Sequence, residues 1–253
     1  MSTTPTSDFN PMRLDHPALE SVRPYAERLR AFDTWPSVLE IDRILHDRLM
    51  IEPGVALEVQ AAKKKRRRGP LDRSALYVMR IHDAGRIPTR ERSWHDLLNA
   101  LVWAAFPMSK RALTARQHAI TEIRVPVTAR SIPGARTREE DALAMLDEGG
   151  IVILAEEPAR TISALRAQAP SSSWGRVAVH VFGHALMEHA VLGNAGVRGY
   201  GVVLAAEEHD RISADRALAR WITDGDELAM PELWRGVSFE TILALMHSPF
   251  RIQ

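Results

Sequence analysis

The side chains of this sequence that could do chemistry fall in three short stretches. They are His95, Asp96 and Asn99, then Asp147 and Glu148, then His184 and Glu188. His, Asp and Glu are the side chains most used for general acid–base catalysis and for holding a divalent metal ion. If the three stretches meet in one cleft, either chemistry is available to the protein.

The third stretch has a spacing that two ligands of one metal ion could use. His184 and Glu188 lie four residues apart on a predicted helix, so they share one helix face. The surrounding pattern, His-x-x-x-Glu-His, differs from the His-Glu-x-x-His zinc signature and from its inverted form. The spacing alone therefore favours the alternative, a His–Glu hydrogen bond that fastens the helix to the sheet.

The first stretch lies on a predicted central helix between Ser93 and Pro107. Ser93 is a good N-cap, Asp96 could complete a capping box, and the proline ends the helix. One face of this helix carries Leu97, Leu98, Leu101, Ala104 and Ala105, and the other carries His95, Asp96, Asn99 and Trp103. The polar face either lines a pocket, which Trp103 favours, or is solvated, which the spacing alone favours.

The second stretch ends a helix that a buried-type strand follows. Thr137 and Glu140 predict a capping box at the start of the helix, and Gly149-Gly150 predicts its end. Asp147 and Glu148 therefore fall at the C-terminus, where the helix dipole disfavours carboxylates. Such a break of a local rule marks either a functional position or a surface accident.

The remaining patterns predict a mixed fold. Helices are expected over 24–30, 36–49, 74–84, 107–120, 158–168 and 213–222, and strands over 55–60, 151–154, 177–182 and 200–205. We expect an α/β or α+β fold, a single mixed domain with a small sheet, several helices and a helical N-terminal region. Residues 1–20 are predicted to be a flexible arm and residues 21–253 one globular domain, with the motifs in a core of about 75–205.

Composition sets few limits on function. The 253 residues are 45% hydrophobic, and a net charge of +1 gives no global field that selects nucleic acid or membrane. The absence of cysteine excludes disulfides and thiolate metal sites and fits a reducing compartment. No apolar stretch is long enough to span a bilayer, so we expect a cytoplasmic protein without a membrane span.

One segment of concentrated charge predicts an exposed basic loop over residues 63–70. It consists of Lys63, Lys64, Lys65, Arg66, Arg67 and Arg68, followed by Gly69-Pro70. The loop could contact phosphate groups, on nucleic acid or on a lipid surface. For nucleic acid, a basic outer face of the helix at Lys110, Arg111 and Arg116 would take part as well. A solvated loop is the favoured alternative, because no aromatic residue is interleaved to stack on bases.

Three motifs in a fixed order carry a family resemblance. They are Pro88-Thr89-Arg90 with His95-Asp96-x-x-Asn99-Ala100-Leu101-x-Trp103, Phe106-Pro107 and Lys110; Asp141-Ala142-Leu143 with Asp147-Glu148-x-Gly150; and Phe182-Gly183-His184-Ala185-Leu186-x-Glu188. Together they resemble DUF3025, a bacterial family of unknown function, over about residues 75–205. The resemblance implies no activity, but it implies that the three stretches belong to one site.

The sequence departs from that family's pattern at three places. Glu140 stands where the family usually has Arg, and Gly149 stands where it usually has Asn. Gly199-Tyr200-Gly201 stands where it tends to have Thr-Ala-His. If these positions take part in the chemistry, this chain is an altered member.

Taken together, the three stretches favour one shared cleft, and we predict a hydrolase-like enzyme that works with or without a divalent metal ion. Catalytic roles are expected for His95, Asp96, Asn99, Asp147 and Glu148, substrate binding for Arg90 and Trp103, and metal binding for His184 and Glu188. The planar guanidinium of Arg90 would hold an anionic group of an unidentified small molecule. Two alternatives stay open: a non-enzymatic binding module whose polar residues form a structural network, and nucleic-acid binding through the basic loop.

Overall fold

The fold is built on a four-stranded sheet covered by helices. The structure is a computed structural model, and it describes residues 8–60, 71–194, 196–225, 235–238 and 241. Its helices are α1 (Arg23–Ala26), α2 (Val38–Leu49), α3 (Tyr77–Ala84), α4 (Trp94–Ala105), α5 (Pro107–Arg124), α6 (Arg138–Gly149), α7 (Pro158–Arg166), α8 (His184–Val191) and α9 (Arg211–Asp224). Its strands are β1 (Ala56–Val59), β2 (Arg86–Thr89), β3 (Gly150–Ala155), β4 (Val177–Val181), β5 (Arg198–Ala205) and β6 (Arg235–Ser238).

The main sheet has the strand order β4-β3-β5-β6, and β1 and β2 form a separate parallel pair. Strand β3 runs antiparallel to β4 and parallel to β5, and β6 runs antiparallel to β5. Every residue of β3 and β4 is buried, which explains why these strands are continuous apolar runs without alternation. The predicted mixed fold with a small sheet and a helical N-terminal region is confirmed.

Local sequence signals fix several helix ends. A complete capping box at Ser37 and Glu40 starts α2, and the predicted box at Thr137 and Glu140 starts α6. Gly85 ends α3 in the left-handed conformation, with φ of 62°. These ends are specified by residues beside them in the chain, so they could be predicted from sequence.

The flexible arm predicted for residues 1–20 is wrong from residue 8 onward; residues 1–7 lie outside the described part. Two 3₁₀ turns, Pro11–Asp15 and Pro17–Val22, occupy this segment, and the second packs against β4 and α4. Phe9, Leu14 and Leu19 are buried in the core. The segment was missed because short 3₁₀ turns with prolines at their starts show no helical period.

The two-faced central helix predicted from sequence is also wrong. All nine residues of α4 from 97 to 105 are buried, because α2, α5 and α8 pack around the helix. Trp103, predicted to line a cleft, is only 1% exposed. Pro107 does end the helix, but α5 starts at that proline, after the single residue Phe106.

Other predictions fall on segments that are not described. The basic loop at 63–70 and most of the chain after residue 225 lie outside the described residues. Among the described helices, none combines the length and the apolar character needed to cross a bilayer.

Candidate functional site

The second and third stretches meet where two turns of the backbone cross. The turn from α6 into β3 contains Gly149, and the turn from β4 into α8 contains Gly183. A Cβ atom added at Gly183 would lie 2.5 Å from the Cα of Gly149 and 2.6 Å from the carbonyl oxygen of Glu148. Real Cβ contacts are not that short, so only glycine allows this crossing. The crossing brings His184, at the start of α8, beside Asp147 and Glu148.

Helix α4 brings the first stretch to the same place by packing against α8. The Nε2 atoms of His95 and His184 are 3.0 Å apart, and the two rings meet edge to face at 74°. A carboxylate oxygen of Glu148 lies 3.5 Å from Nε2 of His184. One donor atom from each of these three residues lies within 4.8 Å of the other two.

Two ring nitrogens at 3.0 Å repel each other unless a proton or a cation lies between them. A tetrahedral zinc ion with Zn–N bonds of about 2.0–2.1 Å would hold two such nitrogens about 3.3 Å apart. The observed separation is that of an N–H···N hydrogen bond, and it is within a few tenths of an ångström of that of a metal-bound pair. The side chain of Glu148 is 50% exposed and that of His95 is 30% exposed, so the donor group is open to solvent on one side.

Glu188 lies on the far side of His95 from this donor group. Its carboxylate is 3.0 Å from Nδ1 of His95. A proton on Nδ1 would be donated to Glu188, which leaves Nε2 free to accept a cation. The structure thus places His184 and Glu188 against opposite nitrogens of the His95 ring, and their sharing of one ion stays a prediction.

The environments of the two histidines move their pKa values in opposite directions. The hydrogen bond to Glu188 raises the pKa of His95, although partial burial opposes this, and the nearby Glu148 carboxylate raises it further. Burial lowers the pKa of His184 to about 4, against the pull of Asp147. His184 is therefore neutral near pH 7 and can act as a ligand. At His95, a proton would compete with a metal ion for the ring nitrogen.

If a divalent ion binds to these nitrogens, its binding should weaken on acidification, starting at a pH above the ordinary pKa of histidine. The ion must displace the proton of His95, so the apparent Zn²⁺ affinity should fall about tenfold per pH unit below the raised pKa. Competition with a chromophoric chelator between pH 8 and pH 5.5 measures this. Glu188→Gln removes the largest cause of the raised pKa of His95 and should move the onset to lower pH. An affinity that is flat with pH would contradict the arrangement.

Behind the donor group lies a buried polar network centred on Lys110. Its Nζ atom is 2.5 Å from Oδ1 of Asp147 and 2.9 Å from Oδ1 of Asn99, and Asn99 donates to the hydroxyl of Tyr77 at 3.0 Å. Burial raises the pKa of Asp147, but Lys110 and His184 outweigh this and hold it below its ordinary value. Asn99 and Asp147, predicted to be catalytic, therefore contact Lys110 and sit behind the donor group.

The predicted basic outer face of α5 is wrong at Lys110, because this residue is only 2% exposed. Arg111 donates to the carbonyl oxygens of Leu49 and Pro53, and Arg116 pairs with Glu139. These contacts within the chain occupy the three cations that were predicted to face nucleic acid.

Arg90 and Asp96 bind each other at the start of α4. The guanidinium of Arg90 is held by both carboxylate oxygens, at 2.9 and 2.8 Å, and its backbone N–H donates to the same carboxylate at 2.5 Å. Ser93 caps the helix as predicted, but Asp96 contacts Arg90 instead of completing a capping box. Arg90, predicted to bind substrate, and Asp96, predicted to be catalytic, are thus paired with each other in the structure.

Sequence reasoning assigned no role near this donor group to Tyr77 or Lys110. Lys110 had one signal, its place at the end of the first motif. The hydroxyl of Tyr77 meets Asn99 only because α3 packs against α5, and nothing in its own segment indicates that contact.

The model of a family described as "Protein of unknown function (DUF3025)" matches residues 65–235, which include all three stretches. The chain belongs to the DUF3025 family. No curated protein matches the chain, and no solved structure matches it. Two of the departures that we expect from the DUF3025 pattern lie against each other, since a Cβ added at Gly149 would be 3.2 Å from the ring of Tyr200. The third, Glu140, completes the capping box of α6.

Proposed function

We propose that this DUF3025 protein is a hydrolase-like enzyme that holds one divalent metal ion on His95, His184 and Glu148. The observation that carries the proposal is the convergence of two imidazole nitrogens and one carboxylate within 4.8 Å. Two histidines and a glutamate are a known ligand set of catalytic zinc, which leaves a fourth position for water or substrate.

Glu188 supports the proposal from behind the donor group. Metal-bound histidines commonly donate their other ring N–H to a carboxylate, which fixes the ring and makes it a better ligand. The contact between Glu188 and Nδ1 of His95, at 3.0 Å, fits that pattern. Glu188 would then be a positioning residue, and Glu148 would take the ligand position that was expected for Glu188.

The network behind the donor group has a matching role in this proposal. Lys110, which also donates to Asn99, holds Asp147, and Asp147 lies 3.8 Å from Nδ1 of His184. They would keep the ring of His184 in place without touching substrate. When bound, the ion would lower the pKa of a coordinated water and polarise a substrate carbonyl or phosphoryl group.

The non-enzymatic alternative, a structural polar network, is supported by the burial of Lys110, Asn99 and His184. Such a network would also pack these side chains firmly, so geometry does not separate it from an enzyme. Metal content does, because a purely structural network retains no ion.

The deciding experiment is elemental analysis of the full chain purified without chelators and passed through metal-free gel filtration. We expect the wild type to hold about one equivalent of Zn, Mn or Fe more than His184→Ala. His189→Ala, on the exposed side of the same helix, is the matched control and should retain the ion. A melting temperature of His184→Ala within a few degrees of the wild type excludes unfolding as the cause. Absence of metal from all three proteins would contradict the proposal.

Nucleic-acid binding remains a separate hypothesis that rests on the basic loop at 63–70 alone. If the loop binds nucleic acid, affinity should fall steeply as salt is raised from about 50 to 200 mM. Binding that is absent, or that does not change with salt, would remove the hypothesis.

A further inference from the structure

A second cluster of metal-binding side chains lies at the surface between α3 and α5. Helix α3 contributes His82 and Asp83, and α5 contributes His118 and Glu122. One donor atom each from His82, Asp83 and His118 lies within 4.8 Å of the other two. We propose that this cluster, the α3–α5 site, binds a second divalent transition-metal ion that joins the two helices.

The carboxylate of Asp83 is the centre of the α3–α5 site. Its Oδ1 atom lies 2.9 Å from Nδ1 of His82 and 3.0 Å from Nε2 of His118. One oxygen thus contacts nitrogens from two different helices. A cation placed there would replace the two N–H protons and contact all three donors at once.

Glu122 offers a fourth donor. It follows His118 by one helical turn, and its carboxylate lies 4.0 Å from Nε2 of His118. Arg73 also binds this carboxylate, so Glu122 would move from Arg73 towards the ion. With two nitrogens and two oxygens from two helices, the α3–α5 site has the ligand number that zinc prefers.

The donor types limit which ion can bind. Imidazole suits Zn²⁺, Ni²⁺ and Cu²⁺, whereas Mg²⁺ and Ca²⁺ prefer ligands that are all oxygen. The side chains are accessible, because His82 is 40% exposed and Asp83 is 51% exposed. An ion in solution can therefore reach the site without local unfolding.

One adjustment is required before an ion binds. The two imidazole rings stack with centroids 3.7 Å apart and planes 15° apart, so their in-plane lone pairs run side by side. Rotation of the His82 ring about its Cβ–Cγ bond makes them converge. That torsion is soft, and the exposure of His82 leaves room for it.

The position of the α3–α5 site connects it to the network behind the first donor group. Helix α3 supplies Tyr77 and α5 supplies Lys110, and both side chains bind Asn99. An ion at the α3–α5 site would hold together the two helices that enclose Asn99. The role of this second ion would be structural, since its donors do not include any side chain of the first group.

The test is calorimetric titration of ZnCl₂ into the full chain after its metal has been removed by a chelator. We expect two binding events in the wild type. His118→Ala should abolish one of them, and His184→Ala should abolish the other. His189→Ala should retain both. Alanine suits a helical position, so His118→Ala is expected to fold.

The outcomes separate the two proposals. Identical titrations for the wild type and His118→Ala would overturn the α3–α5 site, whatever His184→Ala shows. If His184→Ala matches the wild type while His118→Ala loses an event, the first metal site fails and the second stands. As an independent readout, Zn²⁺ added to His184→Ala should shift the ring ¹H–¹⁵N resonances of His82 and His118, and unchanged resonances would also overturn the α3–α5 site.

Discussion

Replacement of Lys110 by methionine should lower the free energy of unfolding by about 3–5 kcal/mol, the usual cost of removing one partner of a buried ion pair. The side chains of Lys110 and Asp147 are 3% and 17% exposed. Without the ammonium group, the Asp147 carboxylate would stay buried with no compensating charge, and Asn99 would lose a donor. Urea denaturation in the presence of a chelator measures the effect without a contribution from bound metal.

Two controls identify the cause of that loss. Arg28→Met breaks an ion pair with Asp47 whose side chains are 38% and 57% exposed, and it should cost less than about 1 kcal/mol. The double variant Lys110→Met/Asp147→Leu removes both charges and should recover much of the lost stability. A Lys110→Met variant no less stable than Arg28→Met would show that the buried pair contributes nothing.

Replacement of Gly183 by alanine should cost about 1–3 kcal/mol from overpacking and, if the proposed ion binds at the first donor group, should also abolish its retention there. The added Cβ would meet the backbone of Glu148 and Gly149, which cannot move aside as a flexible side chain would. Separation of the two turns would carry His184 away from Glu148. Thermal unfolding and elemental analysis of the same preparation measure both effects.

Gly134→Ala is the matched control for this variant. A Cβ at Gly134 would have no atom within 4 Å, so both stability and metal content should be unchanged. Full metal content in Gly183→Ala would show that the crossing of the two turns does not position the donor group.

Much of the framework could be predicted because its signals are local. The capping box at Thr137, the left-handed Gly85 and the apolar runs of β3 and β4 each depend on neighbouring residues. The surroundings of α4 could not be predicted in that way. A helical wheel shows which residues share a face, but it does not show that three other helices cover every face. Asn99 and Trp103 were therefore placed on an open side that is closed in the fold.

The candidate site shows the same limit at the level of single contacts. The three stretches could be found from sequence, and the carboxylates at the end of α6 were recognised as unusual. The cation that pairs with Asp147 is Lys110, which belongs to another helix. Its burial depends on how α5 packs against α6. Likewise, four-residue spacing places His184 and Glu188 on one face of α8, but the packing of α4 decides which nitrogen of His95 each one meets.

The separation of His95 and His184 along the chain has a consequence for the order of events during synthesis. The two histidines are 89 residues apart, and they meet only after α4 has packed against α8. A chain still emerging from the ribosome lacks the second histidine until most of the core has been made. If the proposed ion binds on both histidines, the chain must bring α4 and α8 together before it can hold the ion, so the ion would stabilise the finished molecule and would not guide its folding.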